Sequence, residues 1–227
     1  MVGHREVAVI DPGPDLPRHV RAVVHALEGA ERIHLLLTHG HADHAGAVES
    51  MMALLPDAMV IGPGHPASRL ADAGEEVHTD AGSLSAFPTP GHTRDHVAWL
   101  WPETSTLFVG DLVLGRGDTT WVGEYPGCVA DYLDSLNRVE ALAPDRLLPA
   151  HGAEVLDPPG VLAAYRAHRR ERIAQVRRAR AARPGATASE LLADIYGDGL
   201  PEALERAARA SLEALVEYVE DHPQEER

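Results

Sequence analysis

The densest chemistry in this chain lies in Thr38-His39-Gly40-His41-Ala42-Asp43-His44. Three histidines and an aspartate fall between positions 39 and 44, directly after the apolar run Ile33-His34-Leu35-Leu36-Leu37. A buried strand that ends in a tight loop aims such side chains into one small volume. Imidazole and carboxylate ligands together suit zinc, manganese or iron. Two imidazoles on one side of a turn, then an aspartate and a histidine on the other, can serve two adjacent metals. Further ligands must then come from elsewhere. Three later segments offer them, each at a turn after an apolar stretch. They are His92 in Gly91-His92-Thr93, Asp111 in Val109-Gly110-Asp111, and His151 in Ala150-His151-Gly152. The adjacent glycines permit close backbone approach or positive φ.

Strands and helices must carry these turns. Val7–Ile10 reads as a buried strand stopped by Asp11-Pro12-Gly13-Pro14. Asp15 is placed to cap a helix with Pro17 at its second helical position, running to about Leu27. The strand Ile33–Leu37 leads into the histidine loop, and a helix from about His44 to Leu55 leads away from it. Met59–Ile61, Ser83–Phe87, Val97–Trp101, Thr106–Val109 and Arg146–Leu148 read as further strands, and Asp131–Leu142 as an amphipathic helix. Strands alternate with helices, so the class is α/β. After Pro158-Pro159-Gly160 the character changes. Residues 161–183 read as one long helix with eight arginines and one glutamate, and 188–222 as two or three short acidic helices. The expected division is 1–158 for the catalytic domain and 159–227 for a helical appendage.

Composition sets the outer limits. A chain of 227 residues can bury a sizeable core. Its net charge of -15 argues against nonspecific affinity for nucleic acid or membrane surfaces. No apolar run approaches the ~18–20 residues of a membrane span, and no signal-peptide pattern opens the chain. Cys128 is the single cysteine, which excludes an intrachain disulfide and a cysteine-rich zinc site and fits a reducing, cytoplasmic setting. All twenty basic residues are arginine, so no Schiff-base lysine exists.

The ordered set His39-x-His41-x-Asp43-His44, His92, Asp111 and His151, with Asp11 after the first strand, resembles the metallo-β-lactamase superfamily. The resemblance covers essentially the whole chain. It implies an αββα sandwich. It also implies that His39, His41 and His92 hold one metal, that Asp43, His44 and His151 hold a second, and that Asp111 bridges both. Finer stretches are similar to the beta-lactamase-like-protein-two branch: Gly91-His92-Thr93-Arg94-Asp95-His96, Leu114-Gly115-Arg116-Gly117-Asp118-Thr119, Asp131–Leu136 and Tyr165–Arg172. That branch carries a small C-terminal helical, winged-helix-like subdomain, expected here over 161–222. Family members begin with several strands before the segment matched by Val2–Val7. Either this chain lacks its first N-terminal strands or its start has been placed late, and one sheet is then expected to show a bare edge.

The resemblance implies two divalent ions, zinc first, with manganese or iron as alternatives. A hydroxide shared by such ions exists at neutral pH without a serine or cysteine nucleophile. The expected reaction is hydrolysis of an ester, thioester or lactone in a small-molecule acyl substrate. The expected catalytic groups are Asp43, as ligand and orienter of the attacking water, and His96, as a hydrogen-bond donor to substrate or to a ligand. Animal members of the branch are similar to single-strand endoribonucleases, and related fungal and bacterial members include thioesterases. Single-stranded RNA is therefore the alternative substrate, with the arginine helix as its contact surface. Acidity and the lack of an aromatic platform weigh against it. A third reading is a mononuclear iron sulfur dioxygenase. The acidic tail favours packing or homodimerisation over nucleic acid. Of the remaining histidines, His65 is a candidate for the mouth of the site, and Trp121 is a candidate for a pocket wall.

Overall fold

The computed structural model describes residues 1–227 apart from 67, 70–72, 118, 198 and 224–227. Asp118, in the 114–119 stretch, and the last four residues of the expected appendage thus lie outside the described residues. Among the described residues, eight strands form two sheets. The first is parallel and runs β1 (Glu6–Ile10), β2 (Arg32–Leu36), β3 (Met59–Ile61). The second runs β4 (Glu76–Thr79), β5 (Gly82–Pro88), β6 (Val97–Trp101), β7 (Thr106–Gly110), β8 (Arg146–Pro149), antiparallel except for β7 with β8. The helices are α1 (Pro17–Ala26), α2 (Ala42–Ala45), α3 (Val48–Leu54), α4 (Cys128–Leu142), α5 (Pro158–Ala182), α6 (Ala188–Tyr196) and α7 (Glu202–Asp221).

Successive strand side chains point to opposite faces, and that alternation builds three cores. Val7, Val9, Leu35 and Leu37 face outward and pack with Val20, Val48 and Met51 of α1 and α3. Ala8, Leu36 and Ile61 face inward and meet Leu84, Ala86, Val97 and Trp99 of the second sheet. The outer face of that sheet, with Ala98, Leu107, Val109 and Leu147, packs against Tyr132, Leu162, Leu191 and Leu212 from α4 to α7. The result is the αββα sandwich. The C-terminal helices share one continuous core with α4 and the sheet. They are three helices, and no wing strands accompany them among the described residues. Trp99 and Trp101 share the inner face, and their indole N–H groups donate to the Leu37 and Ala81 carbonyls at 3.2 and 3.1 Å.

Several local expectations are corrected. Asp15 does not cap α1; Leu16 occupies the N-cap position without a side-chain bond. The helix expected over 44–55 is two, because the Gly13 loop enters the break. Gly13 N–H donates to His44 O at 2.9 Å, and Ala47 N–H donates to Gly13 O at 2.9 Å. The strand β4 was not expected; of its four residues Glu76-Val77-His78-Thr79 only Val77 is buried. The second tail helix, α7, is twenty residues long rather than short. The outer edge of β1 is not bare. Val2 exchanges two 2.8 Å backbone bonds with Ala8, and Asp80 N–H donates to Glu6 O at 3.2 Å. Among the described residues no helix is long and apolar enough to cross a membrane.

Candidate metal centre

Every candidate ligand sits just beyond the C-terminal end of a strand. His39, His41, Asp43 and His44 follow β2, His92 follows β5, Asp111 follows β7 and His151 follows β8. Three groups of ligand atoms gather within 4.8 Å: His39, His41 and His92; His39, His44 and Asp111; and Asp43, His44 and His151.

In the first group His39 Nε2 and His92 Nε2 lie 3.0 and 3.1 Å from His41 Nδ1. Tetrahedral ligation at ~2.0–2.1 Å per nitrogen places such atoms roughly 3.3 Å apart, so these three fit one cation. The outward nitrogens are already committed. The Thr38 hydroxyl donates to Asp11 Oδ2 at 2.7 Å and thereby offers a lone pair to His39 Nδ1–H, 3.0 Å away. His92 Nδ1–H donates to the Trp121 carbonyl at 2.9 Å. Both rings are thus held with Nε2 bare and aimed inward, as a cation requires. His39 is buried and crowded by the His96, His44 and His92 rings, so its affinity for a proton is lowered. Burial likewise lowers His92, although the Trp121 carbonyl opposes it.

The second group is more acidic. His151 Nε2 lies 3.1 Å from Asp43 Oδ2 and 3.5 Å from Asp111 Oδ1. His44 donates from Nδ1 to Asp11 Oδ2 at 2.8 Å, while its buried Nε2 and the buried Oδ1 of Asp111 have no hydrogen-bond partner. They stand 3.6 Å apart. Two buried polar atoms without partners, facing across a gap, are what a cation would satisfy. Burial disfavours charge on His44, but the hydrogen bond to Asp11 and the nearby Asp111 carboxylate outweigh it and raise its pKa to about 10. The same carboxylates favour a metal cation there. Asp111 Oδ2 lies 3.8 Å from His92 Nε2, so this carboxylate faces both groups. Burial works against its charge, but His44 and the other neighbouring imidazoles keep its pKa below the usual value.

The frame explains why these loops hold still. Asp11, in the left-handed region at φ 48°, accepts from Thr38 N–H at 2.8 Å as well as from the Thr38 hydroxyl and His44. The carboxylate of this one residue, whose backbone is strained, therefore steadies a ring in each group. Gly110 has φ +50°, and a Cβ there would lie 2.5 Å from Thr38 Oγ1 and 2.7 Å from His96 Nε2. No other residue fits immediately before Asp111.

Asp43 is the ligand candidate most open to solvent, its side chain 52% exposed against 12% for Asp111. Of the two roles expected for His96, a hydrogen bond to substrate or to a ligand, its position suits a contact with a candidate ligand, and there it accepts rather than donates. It is fully buried beneath the cage, its Nδ1 is 2.8 Å from the Thr89 hydroxyl and its Nε2 accepts from Asp111 N–H at 3.3 Å. Burial pushes its pKa down to about 3. Sequence reasoning missed the Trp121 carbonyl, which no residue type encodes, and Glu124, whose carboxylate lies 3.9 Å from His41 Nε2. Thr38 was legible only as the neighbour of His39.

A family model described as the metallo-beta-lactamase superfamily matches residues 1–151. This chain belongs to the metallo-beta-lactamase superfamily. Among its relatives is the lactamase-like protein nscB of Arthroderma gypseum, 33% identical over 96% of this chain and 74% of that protein. Another, from Aspergillus fumigatus, is the atrochrysone carboxyl ACP thioesterase, 28% identical over 95% of this chain but only 53% of that protein. A metallo-beta-lactamase family protein from Thermus thermophilus shares the fold, with a TM-score of 0.79 at 22% identity, over 98% of this chain and 87% of that one. Membership and the His/Asp groups together make the chain a metal-dependent hydrolase.

Proposed function

We propose that this enzyme is a dinuclear hydrolase of small acyl substrates, with a thioester as the first choice and an ester or lactone next. The single observation that carries the dinuclear reading is the Asp111 carboxylate facing two three-ligand groups at once. His39, His41 and His92 would hold one divalent ion, and Asp43, His44 and His151 the other. Zinc suits the nitrogen-rich first group best, and manganese or iron also suit the mixed second group. Bound there, the ions supply Lewis acidity and an activated water at neutral pH.

The chain's own residues do the rest. Asp43 stands at the open side of the site, where it orients the attacking water and takes up its proton. Asp11 and Thr38 lock the His39 and His44 rings. His96 is a positioning residue, holding the Asp111 backbone from below. Beside the second group lies a cavity of about 520 Å³ that combines Asp43, His44 and His151 with Ile10, Phe108 and Leu148. That size lies within the ~300–1,000 Å³ usual for ligand sites, and its apolar walls suit an acyl arm. The thioesterase among the relatives supports the same substrate class.

The arginine helix gives the RNA alternative little support. Arg166, Arg178, Arg180 and Arg183 pair with Glu140, Glu171, Glu220 and Asp194, while Arg172 and Arg177 donate to the Ile195 and His222 carbonyls. The deciding experiment assays metal-loaded enzyme on a thioester, a lactone, a phosphodiester and a short single-stranded RNA, with metal content measured on the same sample. Two zinc or manganese ions per chain with thioester turnover is the expected result. Turnover of RNA alone, or one iron with oxygen consumption, overturns it. Asp43→Asn should lower turnover by roughly 10²–10⁴-fold while the first group keeps its ion.

A further inference from the structure

The carbonyl that fixes His92 belongs to a short segment, 119–123, that has no helix or strand of its own. Its neighbours are held from the other side by the C-terminal helices. Arg169 of α5 donates from Nη2 to Thr120 O at 3.3 Å. Ser211 of α7 donates to Val122 O at 2.7 Å. Trp121 Nε1–H donates to Ala207 O of α7 at 3.1 Å. Consecutive carbonyls of an extended chain point in opposite directions. The carbonyls of 120 and 122 therefore turn to the helices, and the carbonyl of 121 turns to His92. Gly123 seals the junction; a Cβ there would lie 2.7 Å from Ser211 N.

The burial of Arg169 is costly and calls for a reason. It is 4% exposed, its Nε has no hydrogen-bond partner, and no carboxylate among the described residues pairs with it. A buried cation without an anion is expensive. Its guanidinium lies 5.3 Å from the Tyr132 ring centroid, a cation–π contact that offsets part of that cost. One helical turn earlier on α5, the Tyr165 hydroxyl accepts from Leu114 N–H at 2.9 Å and donates to Leu114 O at 3.2 Å. This pins the chain three residues past Asp111.

We propose that α5 and α7 are a working part of the first metal group: by clamping 120–122 they set the orientation of His92 and so the affinity of that group for its ion. The inference rests on the metal-binding reading above. Arg169, Ser211 and Trp121 are positioning residues in this scheme.

The test compares full-length wild type with Ser211→Ala, Trp121→Phe, Arg169→Lys and Arg169→Met. Metal-free protein is titrated with zinc against a competing chelator. Each equivalent is assigned by its loss in His41→Ala or His151→Ala. Nitrogen-15 NMR of the His92 ring reports its tautomer in the metal-free state, and thermal unfolding of the same sample monitors folding. Ser211→Ala, Trp121→Phe and Arg169→Met should weaken the first equivalent by about tenfold, the low end of what losing a ligand's own supporting bond costs, because each loosens the segment that presents that bond. The second equivalent should stay unchanged, and His92 should lose its single tautomer. Arg169→Lys should restore part of the affinity. First-site affinity equal to wild type in folded Ser211→Ala and Trp121→Phe overturns the inference, and so does an equal loss at both sites. Wild type that binds no zinc overturns the metal-binding reading instead.

Discussion

Asp111 carries the most consequence of any single side chain. It faces ligands of both groups, and its Oδ1 is buried without a hydrogen-bond partner. Asp111→Ala should drop bound metal below two ions per chain by elemental analysis. Activity should fall with it by more than about a hundredfold, beyond the loss typical of a change outside the ligand set. Asp11 works at one remove. Asp11→Asn keeps the shape but weakens the acceptor of both the Thr38 hydroxyl and His44 Nδ1–H. Metal affinity should fall by roughly 10–100-fold in a chelator competition, with two equivalents still bound at saturation. The seven candidate ligands were legible in the sequence because histidine and aspartate clustered in turns after apolar runs advertise their chemistry. The Trp121 carbonyl was not, since a backbone acceptor leaves no trace in residue type.

At the level of elements, the helices beneath the loops matter as much as the strands that carry them. Tyr132 of α4 is fully buried and donates to Leu112 O at 2.8 Å, one residue past Asp111, and Ser135 donates to Pro90 O at 2.7 Å, two before His92. Tyr132→Phe should cost about 1–3 kcal/mol in a denaturant titration, because it leaves a buried carbonyl unbonded. The N-terminal segment is tied down by charge. Asp80 accepts from His4 and Arg5 N–H at 2.7 and 3.1 Å, and these bonds depress its carboxyl below the usual range. A depressed carboxylate stabilises the fold above its unfolded pKa, and that stabilisation fades as pH falls through the folded value. Asp80→Asn should therefore melt lower than wild type at pH 7, and the gap should narrow as pH falls below the ordinary aspartate value of about 3.9 in a thermal series. Long apolar runs made most strands legible, whereas Glu76–Thr79, with only Val77 buried, gave no such signal. The break between α2 and α3 was hidden for another reason. It depends on the distant Gly13 loop, and periodicity along one segment cannot report a partner from another.

For the whole molecule, three cores hold the layers together, and one of them joins the second sheet to α4 and the C-terminal helices. An ion bound only by the folded chain adds stability through mass action. A hundredfold excess over Kd contributes about 2.7 kcal/mol, or roughly 5–10 °C for a chain of this size. Zinc should raise the melting temperature in step with its concentration, and a chelator should reverse the shift. Unchanged melting at saturating zinc would contradict a cage that needs the fold. The clamp on 120–122 has a consequence for biosynthesis. Chains emerge from the ribosome N-terminus first, so His39 to His44 leave the tunnel long before Ser211. Until α7 arrives, a nascent polypeptide exposes histidines without the scaffold that gives His92 its hold. On the proposed role of the clamp, the first group gains its full hold on an ion only after α7 has been made.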